Sequence, residues 1–165
     1  MANVVLVIDM VKGFLEPGHN LYCGDESRQI IPSIRALLFR EQSAGSKILF
    51  LSDHHDPDDL EFQMFPVHCV KGTEETQVIS ELSTFANTDN VIPKNRYSGF
   101  FDTPLGARLA DANPDKVIIC GVCTDICVLH TASDARNRDA TTLLKFRLIV
   151  WLASKLTRMI GRCPI

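Results

Sequence analysis

The chain has 165 residues, 45% of them hydrophobic and 22% charged, which suits one soluble globular domain with a real core. A formal net charge of -3 argues against a general nucleic-acid binder, whose phosphate affinity needs a basic face. There is no run of about 18 apolar residues to span a membrane, and the start "MANVVLVIDM" lacks the basic stretch and cleavage site of a secretion signal. The six cysteines are therefore expected to be reduced thiols of a cytoplasmic protein.

In chain order, "NVVLVID" is a continuous apolar run closed by Asp9, the pattern of a buried parallel strand. "GDESRQIIPSIRALLFREQSAG" has helical spacing at Ile30, Ile34, Leu37 and Leu38 and stops at Gly45. "SKILFLSD" is a second buried strand, closed by Asp53, and a polar loop from His54 to about Gly72 follows. "EETQVISELSTF" reads as a short helix and "NVIPK" as a third strand ending at Lys94. "SGFFDTPLGARLADAN" gives a loop, then a helix opened by Asp102 or Thr103 with Pro104 at its first position. "KVIICGV" is the fourth strand, and "TDICVLHTASDARNRD" is a helix with Ile126, Leu129, Ala132 and Ala135 on one side.

Alternating strands and helices predict an α/β fold, a doubly wound and mostly parallel sheet with helices on both faces. Ligands of such sheets bind beyond the carboxyl ends of the strands. All four strands deliver a polar or reactive residue there: Asp9, Asp53, Lys94 and the Cys123–Cys127 turn. Any one alone would read as a cap or a surface group; four at one edge point to a shared active site. Asp53 and His55, one residue apart on an extended strand end, point to the same side, and His68 returns thirteen residues later. Cys123 and Cys127 are separated by three residues and do not form a redox CxxC motif. Cys23, Cys69, Cys120, Cys123 and Cys163 read as structural thiols, small and apolar.

"VVLVIDMVKGF", "SDHHD…FPVHCVKGT", "PKNRYSGFFDTPL" and "GVCTDICVLHTASDA" resemble, in that order, the isochorismatase-like cysteine hydrolases, and among them most the nicotinamidases. The resemblance runs from about residue 3 to 139 and treats residues 1–165 as one domain with an atypical tail from 140. It implies a six-stranded parallel sheet and an Asp–Lys–Cys triad on Asp9, Lys94 and Cys127. It also implies a cis peptide before Cys123 and an oxyanion hole made by the backbone amides of Cys123 and Cys127. Chemically, a helix N-terminus and a nearby ammonium favour the thiolate of Cys127, and Asp9 is placed to shuttle a proton to a leaving amine. The resemblance further implies a divalent metal on Asp53, His55, His68 and Glu61, with adjacent His54 and Asp56 as alternative donors. Histidine and carboxylate ligands suit zinc, the expected ion, and also manganese or ferrous iron. Phe14, Phe65 and Tyr97 are expected to clamp a flat substrate ring, while Phe100 and Phe101 read equally well as core.

After Asp139 the pattern departs. "ATTLLKFRLIVWLASKLTRMIGRCPI" contains no acid, and "LLKFRLIVWLASKLTRMIG" reads as one helix carrying Leu148, Trp151, Leu152, Lys155 and Met159. With no clear strand after Asp139, this segment is expected to cover an unfilled sheet edge or a subunit contact, making the protein at least a homodimer. The expected function is hydrolysis of nicotinamide to nicotinate and ammonia. Another small amide or carbamoyl compound is the alternative within the superfamily, and a catalytically silent scaffold is the alternative outside it. No nucleic-acid or membrane partner is expected.

Overall fold

A computed structural model describes residues 3–142 and 147–150. Its strands are β1 (Val4–Ile8), β2 (Lys47–Asp53), β3 (Val91–Lys94), β4 (Lys116–Gly121) and β5 (Arg147–Val150). Its helices are α1 (Lys12–Leu15), α2 (Asp25–Arg28), α3 (Ile31–Ser43), α4 (Leu105–Ala112) and α5 (Cys127–Thr142). The strands lie in the order β3-β2-β1-β4-β5, and every pairing is parallel.

The period of two along β1 divides the interior into two layers of apolar packing. Val5 and Val7 point to one side and pack with Ile34, Leu37 and Leu38 of α3. Val4, Leu6 and Ile8 point to the other and pack with Leu105 and Leu109 of α4 and Val128 and Ala132 of α5. Every residue of β1 is buried, as a central strand covered on both faces requires. Helices on both faces of a parallel sheet make the three-layer α/β architecture expected from the sequence.

Three local expectations are corrected. The predicted helix after Gly24 breaks into α2 and α3, because Pro32 fits the second position of a helix but not its interior. "EETQVISELSTF" forms two separate 3-10 turns, Glu74–Thr76 and Ser80–Phe85. Between them Val78 bridges antiparallel to Val11, and the Ile79 amide donates to Met10 at 3.1 Å, so pairing overrides helix spacing there. The tail is not helical at Leu148: β5 pairs with β4, Leu148 opposite Val117 and Ile149 opposite Ile118. A short apolar run has no decisive period, and the open edge of β4 selects the strand. The segment thus fills the open sheet edge, one of the two places expected for it. Trp151, Leu152, Lys155 and Met159 lie outside the described residues, as does Cys163, and the expectation of six strands also extends beyond them.

Gly121 closes β4 at φ 135°, where a Cβ would lie 2.0 Å from the carbonyl oxygen of Ile8. Only glycine lets β4 end this close to β1. Gly121→Ala should lower stability by about 2–3 kcal/mol, since backbone rather than a flexible side chain must move. Urea unfolding measures it, and an unchanged midpoint would rule out the close approach.

Candidate active site

From β1 the chain proceeds outward to β2 and β3, while β4 and β5 lie on the other side. The crevice of such a sheet opens where the order reverses, between the ends of β1 and β4. Asp9 follows β1 and the turn into α5 follows β4, so both enter this crevice. Register then places the rest: Asp53 and Lys94 are partners at the last rung of β2 and β3. The end of β1 is held from both neighbours, with the Asp9 amide donating to Leu51 O at 2.8 Å and the Val122 amide to Ile8 O at 3.0 Å. Asp9 itself adopts φ 51°, an uncommon conformation for a non-glycine residue that its neighbours sustain.

Lys94 is the centre of the group. Its Nζ lies 2.9 Å from Asp9 Oδ2 and 3.7 Å from Cys127 Sγ, and it donates to Asp53 Oδ1. The Asp53 amide donates to the other Asp9 oxygen at 3.1 Å. Asp9 Oδ2 is buried and meets Lys94 as a charge contact without hydrogen-bond alignment. Burial opposes the charge on Lys94, but Asp53 and Asp9 outweigh it and hold its pKa well above the ordinary lysine value. Burial likewise opposes ionisation of Asp53, and Lys94, His55 and His68 overcome it, so Asp53 stays a carboxylate. For Asp9 burial wins: against the pull of Lys94, and helped by Asp53, it pushes the pKa up to about 7.

Cys127 is the first residue of α5 and is buried. Here the electrostatic expectation is corrected. Burial holds the thiol well above its ordinary pKa; Lys94 opposes this, but the Asp9 and Asp53 carboxylates add to it. The resting group is a thiol beside a carboxylate poised near neutrality, rather than a standing thiolate. The peptide between Val122 and Cys123 is cis, as the resemblance implies. The Cys123 carbonyl accepts from the amides of Ile126 at 3.3 Å and Val128 at 3.1 Å, fixing the turn that opens α5.

Beside the triad, Asp53, His55 and His68 are buried and place one donor atom each within 4.8 Å of the others. Both imidazoles are tied at Nδ1: His55 to Asp59 at 3.0 Å and His68 to Pro66 O at 2.8 Å. Their Nε2 atoms converge on Asp53 Oδ2 at 3.5 and 3.7 Å, too far for good hydrogen bonds, and His55 Nε2 has no hydrogen-bond partner. Two imidazole Nε2 atoms and a carboxylate facing one point, each imidazole anchored from behind, fit a divalent cation. Burial opposes protonation of His55, yet Asp53 and Asp59 raise its pKa to about 9. The surrounding carboxylates thus call for positive charge at this point. Glu61 is buried and lines the same cavity, but it falls outside the group of three. His54 turns to Ser52 O at 3.1 Å, and Asp56 is exposed and pairs with Lys71, so the structure brings neither of these alternative donors into the group.

A cavity opens above Asp9, Asp53 and Cys127. Phe14, Phe65 and Tyr97 all line it, with the Phe65 and Tyr97 rings 6.4 Å apart and nearly perpendicular. Phe100 is buried in the second core layer, and Phe101 is 56% exposed. Sequence reasoning missed Leu21, Cys23 and Ile126 in the wall. It also missed Asp59, which supports His55 and accepts from Arg96 at 2.9 Å and from the Glu61 amide at 2.9 Å. The position of Asp59, four residues after His55 in a run of aspartates, is the only sequence signal for it.

Residues 3–145 match the isochorismatase domain. The chain belongs to the isochorismatase family. Among solved structures it is similar to a pyrazinamidase/nicotinamidase from Streptococcus mutans UA159, at 32% identity and a TM-score of 0.80 over 90% of this chain and 84% of that one. It is also similar to an N-carbamoylsarcosine amidase from Thermoplasma acidophilum, at 31% identity and a TM-score of 0.77 over 91% and 81% of the two chains. A probable inactive nicotinamidase of Arabidopsis thaliana is 27% identical over 83% of this chain and 74% of its own length. The isochorismatase fold, with nicotinamidase-like neighbours, follows. No helix among the described residues is long and apolar enough to cross a membrane.

Proposed function

We propose that this isochorismatase-family chain is a metal-assisted cysteine amidohydrolase that converts nicotinamide to nicotinate and ammonia. The observation that carries the reading is Lys94 Nζ, held among Asp9, Asp53 and Cys127 at the floor of an aromatic cavity, with the Asp53–His55–His68 group beside it. Cys127 Sγ attacks the amide carbonyl while Asp9 takes its proton, a transfer suited to a carboxyl with a pKa of about 7. The backbone amides of Cys123 and Cys127 receive the developing oxyanion. Asp9 then gives its proton to the departing nitrogen, ammonia leaves, and a Cys127 thioester remains. Water, deprotonated by Asp9, cleaves the thioester and releases the acid. Lys94 holds Asp9, Asp53 and Cys127 together throughout.

Asp53, His55 and His68, with Glu61 as the fourth donor, would hold the divalent ion, with zinc, manganese or iron all compatible. When bound, the ion supplies a Lewis-acid anchor for a ring nitrogen of the substrate. Phe14, Phe65 and Tyr97 position the ring. The test is ammonia release from nicotinamide and from a panel of N-carbamoyl and aliphatic amides by metal-loaded protein. Preference for nicotinamide is expected. Preference for a carbamoyl compound would support the second reading, which the similarity to N-carbamoylsarcosine amidase favours. Turnover of nothing in the panel would leave the silent reading, in line with the similarity to a probable inactive nicotinamidase.

Asp59 fixes the tautomer of His55, so Asp59→Ala should weaken divalent-metal affinity roughly 10–100-fold. Competition with a chromogenic chelator reads this without activity. Unchanged affinity would show that His55 is not a ligand held by Asp59.

A further inference from the structure

Two thiols in the cavity wall take no part in the proposed hydrolysis. Cys23 Sγ and Cys123 Sγ lie 3.7 Å apart, although a hundred residues separate them in sequence. Both are half-buried, and both line the cavity that contains Cys127. Cys123 belongs to the fixed turn before α5. Cys23 belongs to the loop between α1 and α2, bounded by Gly18 and Gly24 at φ 98° and 85° with open space around each. The Cys23 amide donates to Phe14 O at 2.9 Å, which aims the side chain at the turn. A disulfide needs the sulfurs at about 2.05 Å, so the loop has a short distance to travel and glycines at both ends to absorb it.

We propose that Cys23 and Cys123 are a reversible oxidation site for hydroperoxides, whose disulfide closes the cavity wall over Cys127. Cys23 thiolate attacks a peroxide oxygen, the O–O bond breaks, and Cys23 becomes a sulfenic acid as hydroxide leaves. Cys123 sulfur then attacks Cys23 sulfur, the S–O bond breaks, and water departs with the Cys123 proton. Two thiols and one hydrogen peroxide give one disulfide and two waters. The order of steps follows from the contact: the hydrogen bond from Cys123 lowers the Cys23 pKa, and the same bond together with burial holds Cys123 well above the ordinary thiol value. The remaining described thiols lack this setting. Cys69 and Cys120 are fully buried, and burial pushes Cys120 up to about 12.

The covalent step is independent of the amide reading, and the test keeps the two apart. The full chain is treated with hydrogen peroxide, mapped by mass spectrometry without reduction, and probed for the rate at which iodoacetamide labels Cys127. The expected result is a Cys23–Cys123 cross-linked peptide, at least tenfold slower labelling of Cys127, and full recovery of labelling with dithiothreitol. Cys23→Ser should lose both the cross-link and the slowing. The wild-type map stands without it if that variant does not fold. A cross-link that uses Cys127, or sulfinic acid on Cys127 with Cys23 and Cys123 still thiols, would overturn the pairing. The expected cross-link with unslowed labelling would overturn the closing of the wall.

Discussion

Replacing Cys127 with alanine should lower turnover about 10⁴-fold or more. In the proposed mechanism no other group forms the covalent bond, and Asp9 and Lys94 act only on what Cys127 begins. The structural cost should be small by comparison. One sulfur is removed at the first residue of α5, beside a cavity, so about 1 kcal/mol of packing is at stake. Among the described residues the Cys127 sulfur is hydrogen-bonded by Lys94 and not by Asp53, His55 or His68, so metal content should match the wild type. Cys127→Ser should be nearly as inactive, because burial and two nearby carboxylates oppose ionisation of a hydroxyl even more than of a thiol. The measurement is single-turnover ammonia release with whichever amide the wild type hydrolyses. An alanine variant that keeps a tenth of the activity would place the nucleophile elsewhere.

Much of this site was legible in the sequence because buried parallel strands announce themselves as apolar runs, and the first polar residue after each run marks the carboxyl edge. Asp9, Asp53 and Lys94 were found that way, and the register of β2 with β3 makes two of them neighbours. Periodicity failed where pairing decides. "RLIV" reads as part of a helix until the open edge of β4 captures it, and Val78 and Ile79 follow the segment after β1 instead of a helical period. Contacts across long stretches of chain left no trace. Nothing in the sequence brings Cys23 to Cys123 or Arg96 to Asp59. Charge state was also out of reach, since the protonated rest state of Cys127 depends first on its burial and then on the balance of two carboxylates against a single ammonium.

That count of charges sets the second large effect. Among the described residues Lys94 is the only lysine or arginine paired with Asp9 or Asp53, and all three are buried. Replacing a whole buried ion network with apolar groups is often harmless, but removing one partner leaves the others uncompensated. Lys94→Met should therefore cost about 3–5 kcal/mol in metal-free protein at pH 7.5, as well as abolishing turnover. The loss should depend on pH in a definite direction. Burial already raises Asp9 from 3.8 to about 7 with Lys94 present, and without the ammonium it must rise further. A carboxyl whose folded pKa lies above its unfolded value favours folding most below the unfolded pKa. That contribution is lost as pH climbs through the folded pKa. Between about pH 4 and 7 Asp9 is protonated in both folded proteins and its part of the deficit is constant; the deficit should widen above about pH 7, where Asp9 ionises in the wild type but stays protonated in the variant. Urea unfolding of both proteins at pH 6 and pH 8.5, with chelator present so that no ion replaces the lost charge, measures this. A deficit equal at the two pH values would mean that Lys94 contributes through packing alone. No deficit at either would show that Asp9 and Asp53 do not need its charge.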